Sequence, residues 1–201
     1  LPRRPPSTRA RSSSARWLLS ENGVNLPGLV LAASHAAEAS RPLLLLGTAF
    51  ALVRLLDDLA GARLALPPGS VVMQTGGFKG RSREVSMEEL RAGVSQALQL
   101  APERVVGEYG MTELTSQLYE GTVAESALAA RQRSAAERAQ QAAPGPGIYL
   151  EPPWLRVTPV DAISLRPVAE GETGLARFID LLNRDSAGSG GNQELVRRVQ
   201  V

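Results

Sequence analysis

"LLLLGTAFALVRLLDDL", residues 43–59, decides the fold class. Four consecutive leucines between Pro42 and Gly47 leave no polar face, the pattern of a short strand buried in a parallel sheet. The period then changes. Thr48 is a good N-cap, and Leu52, Leu55, Leu56 and Leu59 line one side of a helix over 49–60. Working outward, the same alternation continues. Upstream, an Ala-rich helix over 26–39 begins near Pro27 and is broken at Arg41-Pro42. Downstream, "LPPG" (66–69) is a turn and "SVVMQT" (70–75) a second buried strand ending in Gly76-Gly77. Ser86 and Glu89 have capping-box spacing for a helix over 87–99, and "ERVVGEYG" (103–110) supplies a third strand. Strand–helix–strand–helix–strand implies right-handed crossovers and an open, mostly parallel α/β sheet with flanking helices.

Composition narrows the chemistry. With 43% hydrophobic residues but only 4% aromatic, the 201 residues can build a core, mostly of Leu, Val and Ala. A net charge of +2 argues against a nucleic-acid partner, which requires a concentrated basic face. Cysteine is absent, which removes disulfides, thiolate metal sites and an acyl-thioester on this chain. The single histidine, His35, lies in an Ala-rich helix and leaves no His-based metal cluster and no Ser-His-Asp triad. The longest apolar run is interrupted by arginine and is too short to span a bilayer, so a cytoplasmic protein is expected.

The organisation expected along the chain is as follows. Residues 1–14, basic and rich in Ser and Pro, read as a disordered or truncated start. An α/β nucleotide-binding core spans 15–120, and 121–147 is an inserted surface helix and linker. A β-rich portion over 148–187 contains "WLRVTPV", "AISLRPV" and "TGLARFIDLL" as strands, with Trp154 as a core anchor. Residues 188–201 read as a flexible tail.

Ligands of open parallel sheets sit at the carboxyl ends of the strands. This sequence places Gly47, Gly76-Gly77 and Gly107/Gly110 at such ends, where glycine admits a flat or phosphorylated ligand close to the backbone. In "VVGEYGMTELTSQ" (105–117), the Tyr109 ring can lie against a purine, the Thr112 hydroxyl can donate to a phosphate, and Glu113 can take Mg²⁺. On local spacing alone the plainer alternative stands beside this one: Thr112 and Glu113 cap a short helix and Tyr109 is core. "TGGFKGR" (75–81) matches neither G-x-x-x-x-G-K-[ST] nor G-x-G-x-x-G, and an ordinary glycine turn accounts for it equally well.

Taken together and in order, "LLLLGTAFALVRLLDDL", "MQTGGFKGR", "GEYGMTELTSQLYEG" and "PPWLRVTPVDAISLRPVAEGETGLARFIDLLNRDS" resemble the acyl-protein synthetase family (long-chain fatty acid–luciferin-component ligases), a branch of the adenylate-forming enzymes. The resemblance covers roughly residues 15–187. It implies that ATP and Mg²⁺ are used to convert a fatty or other carboxylic acid to an acyl-adenylate, which passes to an acceptor protein or carrier. It also implies nucleotide contacts from Gly76, Gly77, Phe78, Tyr109, Gly110, Met111 and Thr112. Thr112 and Glu113 would serve the reaction, Glu113 as the metal ligand, and "GTAFA" (47–51) would lie beside the acyl chain. Three features of the family are missing from this sequence: the Ser-Gly-Thr-Thr-Gly type of phosphate loop, the Thr-Glu-Asp segment after "DLLNRDS", and the C-terminal domain with its lysine. A central fragment with little adenylating activity is therefore expected. The alternatives are a phenylacetate-type ligase using coenzyme A and a non-catalytic remnant.

Overall fold

The structure is a computed structural model that describes residues 16–21, 23–77, 85–123, 146–183 and 189–198. A two-residue hairpin, β1 (Leu19–Ser20) and β2 (Gly23–Val24), precedes α1 (Leu26–Glu38). The alternating unit follows: β3 (Leu44–Thr48), α2 (Ala49–Leu59), β4 (Val71–Thr75), α3 (Met87–Leu98) and β5 (Val105–Tyr109). β6 (Leu118–Glu120) and β7 (Tyr149–Leu150) complete a five-stranded sheet in the order β3-β4-β5-β6-β7. β3, β4 and β5 are parallel, whereas β6 and β7 join antiparallel, so the sheet is mixed. A second, antiparallel sheet, β10-β9-β8, is built from β8 (Leu155–Val160), β9 (Thr173–Asp180) and β10 (Ser189–Arg197). The class is thus α/β with flanking helices, followed by a β-rich part.

The caps form as their residue types dictate. The Thr48 hydroxyl accepts the Ala51 N–H at 3.2 Å. Ser86 and Glu89 complete a reciprocal capping box. Asp58, on the outer side of α2, pairs with Arg54 at 2.8 Å and accepts the Val24 N–H at 2.9 Å, fixing the hairpin to the helix.

One face of the parallel strands is covered. Val72 and Val105, with Leu45 beside them, pack against Leu52, Val53 and Leu55 of α2 and Leu90, Val94 and Leu98 of α3. Strand alternation sends the neighbouring side chains to the opposite face. There Leu44 is 63% and Leu46 59% exposed. A second apolar cluster, Leu118, Leu155, Ala176 and Phe178 with Tyr109, Met111 and Leu114 against it, joins the two sheets.

Four expectations change. The leucine run 43–46, expected as a buried strand, is the edge strand of its sheet, with Leu44 and Leu46 exposed on the face the helices do not cover. "AISLRPV" (162–168) is a turn and loop, apart from a bridge between Val160 and Pro167. The Asp161 carboxylate takes the N–H groups of Ile163 and Ser164 and the Ser164 hydroxyl, and Leu165 turns left-handed with φ 54°. That local bonding competes with a strand ladder and leaves Ile163 94% exposed. Trp154 is 43% exposed rather than a core anchor, because it precedes β8 and Phe178 fills the cluster. Finally, Ser189–Arg197 is not a free tail; it pairs along β9 from Ser189↔Ile179 to Arg197↔Thr173, with a register shift between Gly191 and Leu195. The edge of β9 supplies ladder partners that composition does not reveal. Most of the helical reading of 121–147, including all of 124–145, lies outside the described residues. No helix among the described residues is long and apolar enough to cross a membrane.

Candidate functional site

Register sets the rim. Thr48 is level with Thr75, and Thr75 with Glu108, so three parallel strands end side by side. Beyond Thr75, Gly76 takes φ 64°. Among the described residues, a Cβ placed on either Gly76 or Gly77 would meet nothing within 4 Å. Phe78 lies outside the described residues.

The glycines of β5 behave differently from one another. Gly107 lies within the strand and is buried; a Cβ there would run into the Tyr149 hydroxyl and come within 3.2 Å of the Glu120 carboxyl carbon. It serves packing and not the rim. Gly110 follows the strand, and a Cβ there would stand 2.8 Å from Glu108 Oε1.

Tyr109 is half-buried. Its ring stacks on Phe178 with centroids 6.0 Å apart and planes 10° apart, and meets Tyr149 edge-on at 6.3 Å. Its hydroxyl lies 3.8 Å from the Met111 sulfur. Met111 is half-buried against the second cluster. Thr112 and Glu113 are both exposed, at the tip of a turn closed by the Leu114 N–H on the Met111 carbonyl at 3.0 Å. They cap no helix. Among the described residues no group of three or more His, Cys, Asp or Glu side chains gathers to hold a metal.

Two buried carboxylates that motif reading passed over organise this region. Glu120, 5% exposed, receives Arg91 Nη2 at 2.7 and 2.9 Å and the N–H groups of Gly107 and Gly147, each at 2.6 Å. Arg91 also donates to the Val105 carbonyl. α3, β5, β6 and the approach to β7 are thereby clasped at one point. Asp180, 2% exposed, accepts the N–H groups of Thr115 and Ser116 at 3.0 and 2.9 Å, the Ser116 hydroxyl at 2.9 Å and the Leu182 N–H at 3.0 Å. Burial pushes the Asp180 carboxyl up, but the donors from Leu182, Ser116 and Thr115 together outweigh it and hold the group below the ordinary carboxylate range. The signal for both was present in the sequence. Each is an acid at an inward position of a strand that otherwise alternates, as in Gly174-Ala176-Phe178-Asp180.

No family model and no curated protein matches this chain. Solved structures do. ATP-bound MatB from Rhodopseudomonas palustris is 15% identical over 75% of this chain and 24% of its own, with a TM-score of 0.45. McyG A-PCP complexed with phenylalanyl-adenylate is 15% identical over 87% of this chain and 32% of its own, with a TM-score of 0.49. A long-chain-fatty-acid-CoA ligase from Archaeoglobus fulgidus is 13% identical over 76% and 27%, with a TM-score of 0.45. Each is a likeness of chain path to part of a larger protein, and this chain spans about a quarter to a third of the length of those it matches.

Proposed function

We propose that this chain carries the nucleotide-binding part of an ATP-dependent ligase. The enzyme would activate a carboxylic acid of the fatty-acid kind as an acyl-adenylate, for transfer to a protein thiol or carrier. The observation that supports this reading is the level rim. Three parallel strand ends stand abreast, Gly76 and Gly77 leave room for a ligand among the described residues in the middle, and the exit of β5 leads to an exposed Thr112-Glu113 tip. In this reading Gly76 and Gly77 border the adenine, and Tyr109, braced by Phe178 and Tyr149, flanks it. Gly110 and Met111 set the turn, the Thr112 hydroxyl donates to a phosphate oxygen, and Glu113 holds Mg²⁺. Bound ATP would supply the pyrophosphate leaving group, and the metal would offset charge on the phosphates.

Calorimetric titration with Mg·ATP tests it. Saturable binding is expected, weakened about tenfold by Thr112→Ala and by Glu113→Gln, the scale of one charge-assisted hydrogen bond. No binding overturns the reading.

One observation favours a non-catalytic alternative. The Tyr109 ring belongs to the cluster joining the two sheets, as a purely structural tyrosine would. Under that alternative Tyr109→Ala destabilises the chain and no nucleotide binds, so the same titration separates the two.

A further inference from the structure

We infer that Asp180 is the positioning residue of the candidate nucleotide loop: through Thr115 and Ser116 it sets where Thr112 and Glu113 stand, and thereby sets the affinity for Mg·ATP. The inference rests on the nucleotide reading above and adds to it a residue on the other sheet.

The destination of the bonds carries the argument. A carboxylate that served only to end β9 would take its donors from its own turn, as it does from Leu182 at 3.0 Å. The other three donors to Asp180 come from Thr115 and Ser116, 64 and 65 positions away along the chain. They follow directly on the turn that lifts Thr112 and Glu113 into solvent. A second tether reaches the turn itself: Asn183 Nδ2 donates to the Glu113 carbonyl at 2.8 Å. The anchor is itself fixed, since the Leu181 N–H donates to the Trp154 carbonyl and the Asn183 N–H to the Asp180 carbonyl. Met111 and Leu114 press against the cluster that Phe178 fills. The loop is therefore held at its start by β5 and at its end by the last turn of β9. Exposed ligands on a turn bind well only if the turn is already in place, because ordering it on binding subtracts from affinity.

The test uses the 201-residue chain, with Asp180→Asn, Ser116→Ala and, as a control, Ile179→Ala on the outward face of the same strand. Amide hydrogen exchange without ligand and Mg·ATP titration are read side by side. In Asp180→Asn the Thr115 and Ser116 amides are expected to exchange at least about tenfold faster, and the Kd for Mg·ATP to rise by about tenfold. Ser116→Ala, which removes one hydroxyl bond, is expected to raise Kd by about threefold and carries the test if Asp180→Asn does not fold. Ile179→Ala is expected to lower the melting temperature and leave Kd unchanged. Unchanged exchange at Thr115 and Ser116, or an unchanged Kd in both Asp180→Asn and Ser116→Ala while the parent chain binds, overturns this inference alone. A parent chain that binds no Mg·ATP overturns the nucleotide reading, and this inference with it.

Discussion

Replacing Glu120 with glutamine changes one oxygen to an amide nitrogen and should nevertheless cost a large part of the stability. Each carboxylate oxygen takes one backbone N–H, from Gly147 or from Gly107, and shares Arg91 Nη2. Whichever way the amide turns, its NH₂ group meets a backbone N–H and the guanidinium, donor against donor. One buried N–H then goes unsatisfied, at about 1–3 kcal/mol, and a guanidinium whose side chain is only 15% exposed loses its counter-charge. Removing one partner of a buried pair costs about 3–5 kcal/mol, and we expect Glu120→Gln to fall in that range. A domain of this size is stable by about 5–15 kcal/mol, so the variant should be near its folding threshold. Urea unfolding followed by circular dichroism measures the change, provided the slope stays that of the parent. The double variant Arg91→Met with Glu120→Leu should recover much of the loss, since it leaves no orphaned charge. A Glu120→Gln variant within about 1 kcal/mol of the parent would show that the clasp is wet or loosely made, and would refute this account.

Gly174→Ala places a Cβ 2.6 Å from the Val160 carbonyl oxygen and 2.8 Å from the Val160 nitrogen, both backbone. The β8–β9 pair must shift, and a loss of about 1–3 kcal/mol in urea unfolding is expected. Asp180 titrates below its ordinary value of 3.8 in the folded chain, so its contribution is complete above that value and is lost as pH falls through it toward the lower folded value. The urea midpoint of the parent should therefore drop more steeply than that of Asp180→Asn as pH is lowered from about 5 to 3. Leu44 and Leu46 leave an apolar edge strand open to solvent among the described residues. Leu46→Thr should reduce self-association in sedimentation experiments without loss of the α2–α3 core. Ser86→Ala removes the hydroxyl that accepts the Glu89 N–H, while the Glu89 carboxylate keeps the backbone N–H of residue 86, and should cost about 1 kcal/mol.

What this sequence determined by itself is local. The leucine run and its change of period placed β3 and α2, Thr48 and Ser86 placed two helix starts, and "SVVMQT" and "ERVVGEYG" placed the next two strands. Those signals act within a few residues, through side-chain periodicity and hydrogen bonds to the nearest backbone groups, so they can be read in order along the chain. They also bring the rim into view, because consecutive parallel strands of similar length must end side by side. Only the tertiary structure decided the rest. A Gly/Ser-rich run became β10 because β9 offered it an edge, Asp161 turned an apolar-looking stretch into a loop, and Tyr109 found Phe178 across the space between two sheets. Asp180 and Glu120 could be suspected as acids at inward strand positions, but apart from Leu182 beside Asp180 their donors lie 64 or 65 and 13 to 29 positions away. A buried carboxylate is tolerated only where several donors converge on it, and that convergence is a property of the packed chain.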